Sequence, residues 1–60
     1  MEQNLPKDPV MLLSYINTQL RDYYPSLTEF CRSFHISEEE IRKKLAGIQY
    51  EYNEENNQFI

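Results

Sequence analysis

The chain has 60 residues, 40% of them apolar, with ten Asp and Glu against six Lys and Arg and a formal net charge of -4. That length allows one domain, and such a chain buries only about 60% of the surface that its unfolded form exposes. One cysteine and one histidine exclude an intramolecular disulfide and a Cys/His zinc site within one chain. Because no apolar run reaches about 18 residues and the start has no signal-peptide pattern, we expect a small cytoplasmic domain without a membrane span.

The first third of the chain predicts an extended arm and then an amphipathic helix. Pro6 and Pro9 disfavour helix at the residues before them, so we expect residues 1–7 to be extended. Asp8 is a good N-cap, and proline is well tolerated at the first helical position. Apolar residues at helical spacing then predict a helix over residues 8–23: Val10, Leu13, Ile16, Leu20 and Tyr24, with Leu12 and Tyr23 widening the stripe.

Two shorter helices are predicted from their start signals. Residues 26–29 have the pattern of a capping box, and the apolar positions that follow predict a helix over residues 26–35. A second box at residues 37–40 begins a helix over residues 37–46. Gly47 stands where a left-handed C-cap is expected.

After the third helix the hydrophobic period changes from 3.6 to 2. Ile48, Tyr50 and Tyr52 alternate with polar residues, which predicts a half-buried strand. Residues 53–56 can form a four-residue loop, in which Asn56 or Asn57 tolerates positive φ, and the chain then returns antiparallel. Residues 48–60 are therefore predicted to form a β-hairpin.

The predicted fold is a single domain over residues 1–60, mostly α (α+β), with three helices followed by a C-terminal β-hairpin. Two helices joined by a short turn resemble a helix-turn-helix, to which the hairpin adds a small wing-like element.

The charges of the third helix favour a solvated, ion-paired surface over a nucleic-acid surface. Glutamates stand four residues before bases in three pairs, which stabilises exposed helices: Glu38 with Arg42, Glu39 with Lys43, and Glu40 with Lys44. In helix-turn-helix proteins the start of this helix faces the bases, where three carboxylates would oppose phosphate binding. A winged-helix-like DNA-binding or transcription-associated protein therefore remains the alternative, motivated by the fold outline alone.

We predict no enzyme, no catalytic residues, and no cofactor or metal site. His35 has no companion nucleophile and lies in the turn after the second helix, where a structural role is ordinary. Cys31 belongs to the apolar face of that helix and is expected to be a buried small hydrophobe. A single glycine excludes a glycine-rich phosphate loop.

The first helix carries more apolar surface than packing on two short helices requires. One interpretation is that the small domain uses all of this surface for its own core. The other is that it binds an unidentified protein or a second copy, since tyrosine and methionine are frequent at interfaces. The edge of the C-terminal strand, which we expect to be unpaired, offers a second way of binding another chain. The candidate interaction surface comprises Met11, Tyr15, Leu12, Tyr23 and Phe59.

The chain also resembles a family of short bacterial proteins, the domain-of-unknown-function family number 4250. The resemblance is carried by residues 4–9, 11–14 and 17–25, and by the later segments 44–48, 50–53 and 57–59. It implies a cytoplasmic bacterial protein of about this length, and it supplies no activity and no site residues.

Overall fold

The computed structural model describes residues 5–60, so the first four residues of the predicted arm lie outside it. The elements in chain order are α1 (Pro9–Asp22), α2 (Leu27–Phe34), α3 (Glu38–Ala46), β1 (Tyr52–Asn53) and β2 (Gln58–Phe59). The two strands form an antiparallel hairpin, which confirms the predicted class of three helices followed by a hairpin. None of the helices within residues 5–60 combines the length and the apolar character needed to cross a membrane.

Each helix begins one residue after the residue predicted to start it, because that residue is the N-cap. The Asp8 carboxylate accepts a hydrogen bond from the Met11 backbone N–H at 3.1 Å. Ser26 and Ser37 accept bonds from the backbone N–H three residues later, at 3.2 and 3.4 Å. Such caps satisfy donors that the helix leaves unpaired, and each is worth about 1 kcal/mol.

Both α2 and α3 end in a left-handed residue, but after α3 this residue is not Gly47 as predicted. Gly47 is right-handed, with φ of -62°, and the left-handed residues are His35 after α2 and Gln49 after α3. At both ends the N–H of the residue after the left-handed one bonds a carbonyl five residues back, as in a Schellman motif. The turn thus comes two residues later than predicted.

The first strand consequently begins at Tyr52, later than the predicted start at Ile48. Ile48 packs against the core at helical spacing from Leu45, so the helical path continues past Gly47 before the chain turns. Tyr52 and Asn53 form β1, opposite Phe59 and Gln58. The prediction of a strand from Ile48 is therefore wrong, because the core contact of that side chain favours the helical turn.

The core lies where α1, α2, α3 and β2 meet. Its buried residues are Leu12, Ile16, Leu20, Leu27, Phe30, Cys31, Phe34, Ile41, Leu45 and Phe59. Tyr24 follows α1 and meets the rings of Phe30 and Phe34 edge-on, with centroids 5.5 and 6.1 Å away. Such edge-to-face pairs contribute beyond the apolar area that they bury.

The hairpin is fixed to the helices by Asn57, which adopts the left-handed conformation with φ of 53°. Its side-chain amide donates to the carbonyls of Leu20 and Tyr24 at 3.0 and 2.9 Å. The Tyr52 hydroxyl donates to the Asn57 side-chain oxygen at 2.6 Å and accepts from the Leu27 backbone N–H at 3.2 Å. Two side chains of the hairpin therefore join the end of α1 to the start of α2.

Candidate interaction surface

The structure separates the five residues of the predicted interaction surface. Leu12 and Phe59 are each 1% exposed and belong to the core. Tyr15 is half-buried, and its ring meets Phe34 edge-on at 6.4 Å. Met11 and Tyr23 are 62% and 71% exposed, but twelve residues of helix place them about 18 Å apart. These five residues are not brought together into one exposed surface.

The predicted open edge of the C-terminal strand is closed at Phe59. Glu51 and Ile60 exchange both backbone hydrogen bonds, at 3.1 and 2.9 Å. Pairs alternate along an antiparallel ladder, so the backbone groups of Phe59 point away from β1. There the Asn17 side chain bonds both of them, at 2.8 and 3.1 Å. The expectation of an unpaired edge is wrong at this residue, because a helix side chain takes the place of a strand.

An open groove of about 790 Å³ runs between α1 and the hairpin. Exposed or half-buried apolar side chains line it: Val10, Leu13, Tyr50 and Ile60. Leu20 and Phe59, which are buried, complete its apolar lining. We call this set of residues the α1–hairpin groove. It gathers apolar side chains from both ends of the chain, which the sequence pattern does not show.

Several polar groups of the α1–hairpin groove already have partners within the chain. The side-chain amides of Asn17 and Asn57 are bonded as described above. The Thr18 hydroxyl donates to the Ser14 carbonyl at 2.9 Å, and the Arg21 guanidinium makes two bonds to Asp22, at 2.9 and 3.1 Å. Polar atoms nevertheless form more of the groove's exposed lining than apolar atoms do.

The groove also differs from the rest of the chain in its charged side chains. Among residues 5–60, none of the Asp and Glu side chains lines it, although the whole chain carries ten such residues and a net charge of -4. The charged residue that does line it is Arg21, whose guanidinium is paired with Asp22. This face thus contrasts with the acidic character of the whole molecule.

The charges of α3 are engaged locally at one of the three predicted pairs. Arg42 bonds the Glu38 carboxylate through Nε and a terminal nitrogen at 3.1 and 2.8 Å, and the Thr28 hydroxyl donates to the same carboxylate at 3.0 Å. The hydrogen bond from Arg42 lowers the pKa of Glu38. The Arg42 guanidinium also lies 5.4 Å from the centre of the Tyr52 ring.

The other two predicted pairs of α3 are not closed. Within residues 5–60, the ion pairs closer than 4 Å include neither Glu39 with Lys43 nor Glu40 with Lys44. Arg32, a further cation on α2, lies 3.5 Å from Glu29. Lys43 and Lys44 are therefore the cations of this region that remain for an external partner.

Cys31 is 4% exposed, as predicted for a small core residue. Burial, together with a smaller effect of the nearby Glu38 carboxylate, raises the pKa of its thiol to about 11. His35 is exposed at the left-handed turn after α2. Over residues 5–60, no group of three His, Cys, Asp or Glu side chains is arranged to hold a metal ion.

One protein family includes nearly the whole of this chain. No curated protein and no solved structure matches the chain. The family model described as Domain of unknown function (DUF4250) matches residues 6–59, which include all three helices and both strands. The resemblance noted in the sequence is thereby confirmed, and this chain belongs to the DUF4250 family.

Proposed function

We propose that this protein is a non-enzymatic interaction module whose α1–hairpin groove binds apolar side chains of a polypeptide partner. The observation that carries the proposal is the convergence of Val10, Leu13, Tyr50 and Ile60 on one open groove. Val10 and Ile60 are 62% and 54% exposed, which leaves their apolar surface in contact with water. Contiguous exposed apolar surface of this kind is typical of interaction sites.

The bonded amides of Asn17 and Asn57 favour a polypeptide over a small polar ligand. A small-molecule site usually directs a few convergent polar groups at its ligand. Here the amides of Asn17 and Asn57 are bonded to backbone carbonyls and to a backbone N–H or a hydroxyl. A partner gains by covering apolar surface, at roughly 25 cal/mol per Å² before the costs of association.

The winged-helix-like DNA-binding alternative has weaker support. Phosphate contacts supply most of the affinity of such proteins, and Arg42 is held by Glu38 and stacked on Tyr52. Fluorescence anisotropy with random duplex DNA in about 50 mM salt tests it, because low salt exaggerates phosphate binding. Saturable binding that is lost in a Lys43→Glu, Lys44→Glu variant would favour DNA over the groove.

Site-specific photo-crosslinking tests the interaction module. Val10 and Met11 are adjacent, equally exposed at 62%, and belong to the same helix, but only Val10 lines the groove. A benzophenone amino acid is placed at either position, and the purified protein is irradiated alone and with added cell extract. We expect a discrete polypeptide adduct from position 10 and little from position 11.

The identity of the adduct is read from its intact mass. An adduct at position 10 of any defined protein, including this chain, supports the module. Equal yields at positions 10 and 11, or no adduct at position 10, would contradict it.

A further inference from the structure

We infer that the outer edge of β1 is a second binding site, at which an extended polypeptide segment that carries a basic side chain adds a third strand to the hairpin. The site lies between β1 and α3, and its lining shares only Phe59 with that of the α1–hairpin groove. The inference therefore does not rest on the proposed function. It draws on the hydrogen bonds of the hairpin, the space beside β1 and the charges of that space.

The hairpin has one covered edge and one open edge. Because Glu51 and Ile60 form a bonded pair, the backbone groups of the next pair, Tyr52 and Phe59, point away from each other. At Phe59 the Asn17 side chain bonds both groups. At Tyr52 neither the backbone N–H nor the backbone carbonyl has a hydrogen-bond partner among residues 5–60. A donor and an acceptor on one edge are the groups that a further strand pairs with.

An open groove of about 380 Å³ adjoins this edge, and we call it the α3–β1 groove. One side of α3 and the hairpin line it: Glu39, Arg42, Lys43, Ala46, Glu51, Tyr52 and Phe59. An added strand lies about 4.8 Å from its neighbour, so it would run along β1 with α3 as the opposite wall. Strand addition at an open sheet edge is a recurring mode of peptide recognition, in which main-chain bonds supply affinity and side chains supply specificity.

The charges of the α3–β1 groove favour a basic peptide. Of its charged residues, Arg42 is held by Glu38. The other three, Glu39, Lys43 and Glu51, have no ion pair closer than 4 Å among residues 5–60. Two such carboxylates against one cation attract a basic side chain and oppose phosphate groups. A peptide backbone, which is uncharged, therefore fits this groove better than a nucleic-acid backbone does.

A phage-displayed library of random linear peptides is the probe, and isothermal titration calorimetry measures the affinity of the selected peptides. Ala46→Tyr and Lys44→Tyr are the matched variants of the protein. Both positions are exposed on α3, but only Ala46 lines the groove. Circular dichroism verifies that both variants keep the fold. Each selected peptide is also synthesised with one backbone N–H at a time replaced by N–CH₃.

We expect the selected peptides to contain Lys or Arg and to bind the Lys44→Tyr variant as they bind the unmodified chain. Ala46→Tyr should weaken binding by about tenfold, because its ring occupies the groove and displaces the peptide from its backbone bonds. N-methylation should weaken binding at alternate residues of the peptide only, since every second N–H of an added strand points toward β1.

Amide hydrogen exchange reads the edge itself. The Tyr52 amide should exchange fast in the free chain, because it has no partner among residues 5–60, and should slow by about tenfold or more when a selected peptide is bound. The Asn53 amide is the reference, since Asn53 is paired with Gln58 in both states.

A library from which no peptide binds would overturn the inference, as would equal weakening by Ala46→Tyr and Lys44→Tyr. An N-methyl scan without alternation, or a Tyr52 amide that stays unprotected in the complex, would overturn it also. Protection of Tyr52 that grows with protein concentration alone would assign the edge to a second copy of this chain instead. Crosslinking at position 10 is independent of all these outcomes, so the proposed function of the α1–hairpin groove stands or fails separately.

Discussion

The side-chain amide of Asn17 forms with the backbone of Phe59 the two hydrogen bonds that a neighbouring strand would otherwise form. Nδ2 donates to the Phe59 carbonyl at 3.1 Å, and the Phe59 N–H donates to Oδ1 at 2.8 Å. Exposed strand edges are templates for aggregation, and here a helix side chain covers one. The same pair fixes the distance between α1 and β2 and so holds the walls of the groove in place.

Asn17→Ala should lower the free energy of unfolding by about 1–3 kcal/mol, because both backbone groups of Phe59 lose their partner. Thr18→Ala is the control, since the Thr18 hydroxyl bonds only the carbonyl one turn before it. That change should stay within about 0.5 kcal/mol. Urea unfolding of the two variants and of the unmodified chain, at the same protein concentration, provides the measurement. Equal effects of the two substitutions would contradict the role of Asn17.

Replacement of Asn57 separates its hydrogen bonds from its backbone conformation. Asn57→Gly keeps the left-handed conformation at φ of 53° but loses the bonds to the Leu20 and Tyr24 carbonyls and to the Tyr52 hydroxyl. Asn57→Ala loses the bonds and also strains the backbone, so it should be less stable than Asn57→Gly by about 1 kcal/mol. Denaturant unfolding of the two variants provides the comparison. If Asn57→Gly were as stable as the unmodified chain, the hydrogen bonds would contribute nothing.

Glu38→Gln should cost about 0.5–1 kcal/mol near neutral pH, the range for a partly exposed ion pair. The pKa of Glu38 is lowered below its ordinary value of 4.5, chiefly by the hydrogen bond from Arg42. Because the pKa is lowered on folding, the ionised carboxylate stabilises the fold at every pH above its ordinary pKa. This stabilisation is lost as the pH falls through the lowered pKa of the folded state.

The stability difference between the unmodified chain and Glu38→Gln should therefore shrink as pH falls below 4.5. Thermal unfolding over a pH series measures it. Glu39→Gln is the matched control, because Glu39 has no ion pair closer than 4 Å among residues 5–60. A stability difference that stays constant as the pH falls would show that the negative charge of Glu38 does not stabilise the fold.

Cys31 should resist alkylation in the folded protein. Its thiol is 4% exposed, and burial raises its pKa to about 11, so little thiolate exists at mildly alkaline pH. Mass spectrometry after iodoacetamide treatment should show almost no adduct without denaturant and complete modification in urea. Modification as fast as that of free cysteine would place Cys31 at an accessible surface.

The sequence predicted the elements well because their signals are local. Asp8, Ser26 and Ser37 act as N-caps where the sequence placed them, and of the two asparagines that could take positive φ, Asn57 does so. The left-handed turn after α3 was misplaced because the prediction relied on Gly47 as a stop signal. The helical spacing of Ile48 from Leu45, which a core contact supports, decides the outcome instead.

The interaction surface was predicted less well, because it depends on contacts between distant parts of the chain. On α1 the core line is Leu12, Ile16 and Leu20, at steps of four residues, and Val10 lies off that line. This spacing is a signal that could have separated Val10 from the core. The proximity of Ile60 and Tyr50 to Val10 follows from hairpin docking through Asn17 and Asn57, which no sequence period encodes.

The most direct test of the interaction module is photo-crosslinking from positions 10 and 11, with the purified chain alone and with added cell extract. We predict a discrete polypeptide adduct from position 10, which lines the groove, and little from position 11, which is equally exposed but lies outside it. Equal yields from the two positions, or no adduct at position 10, would contradict an interaction module that acts through the α1–hairpin groove.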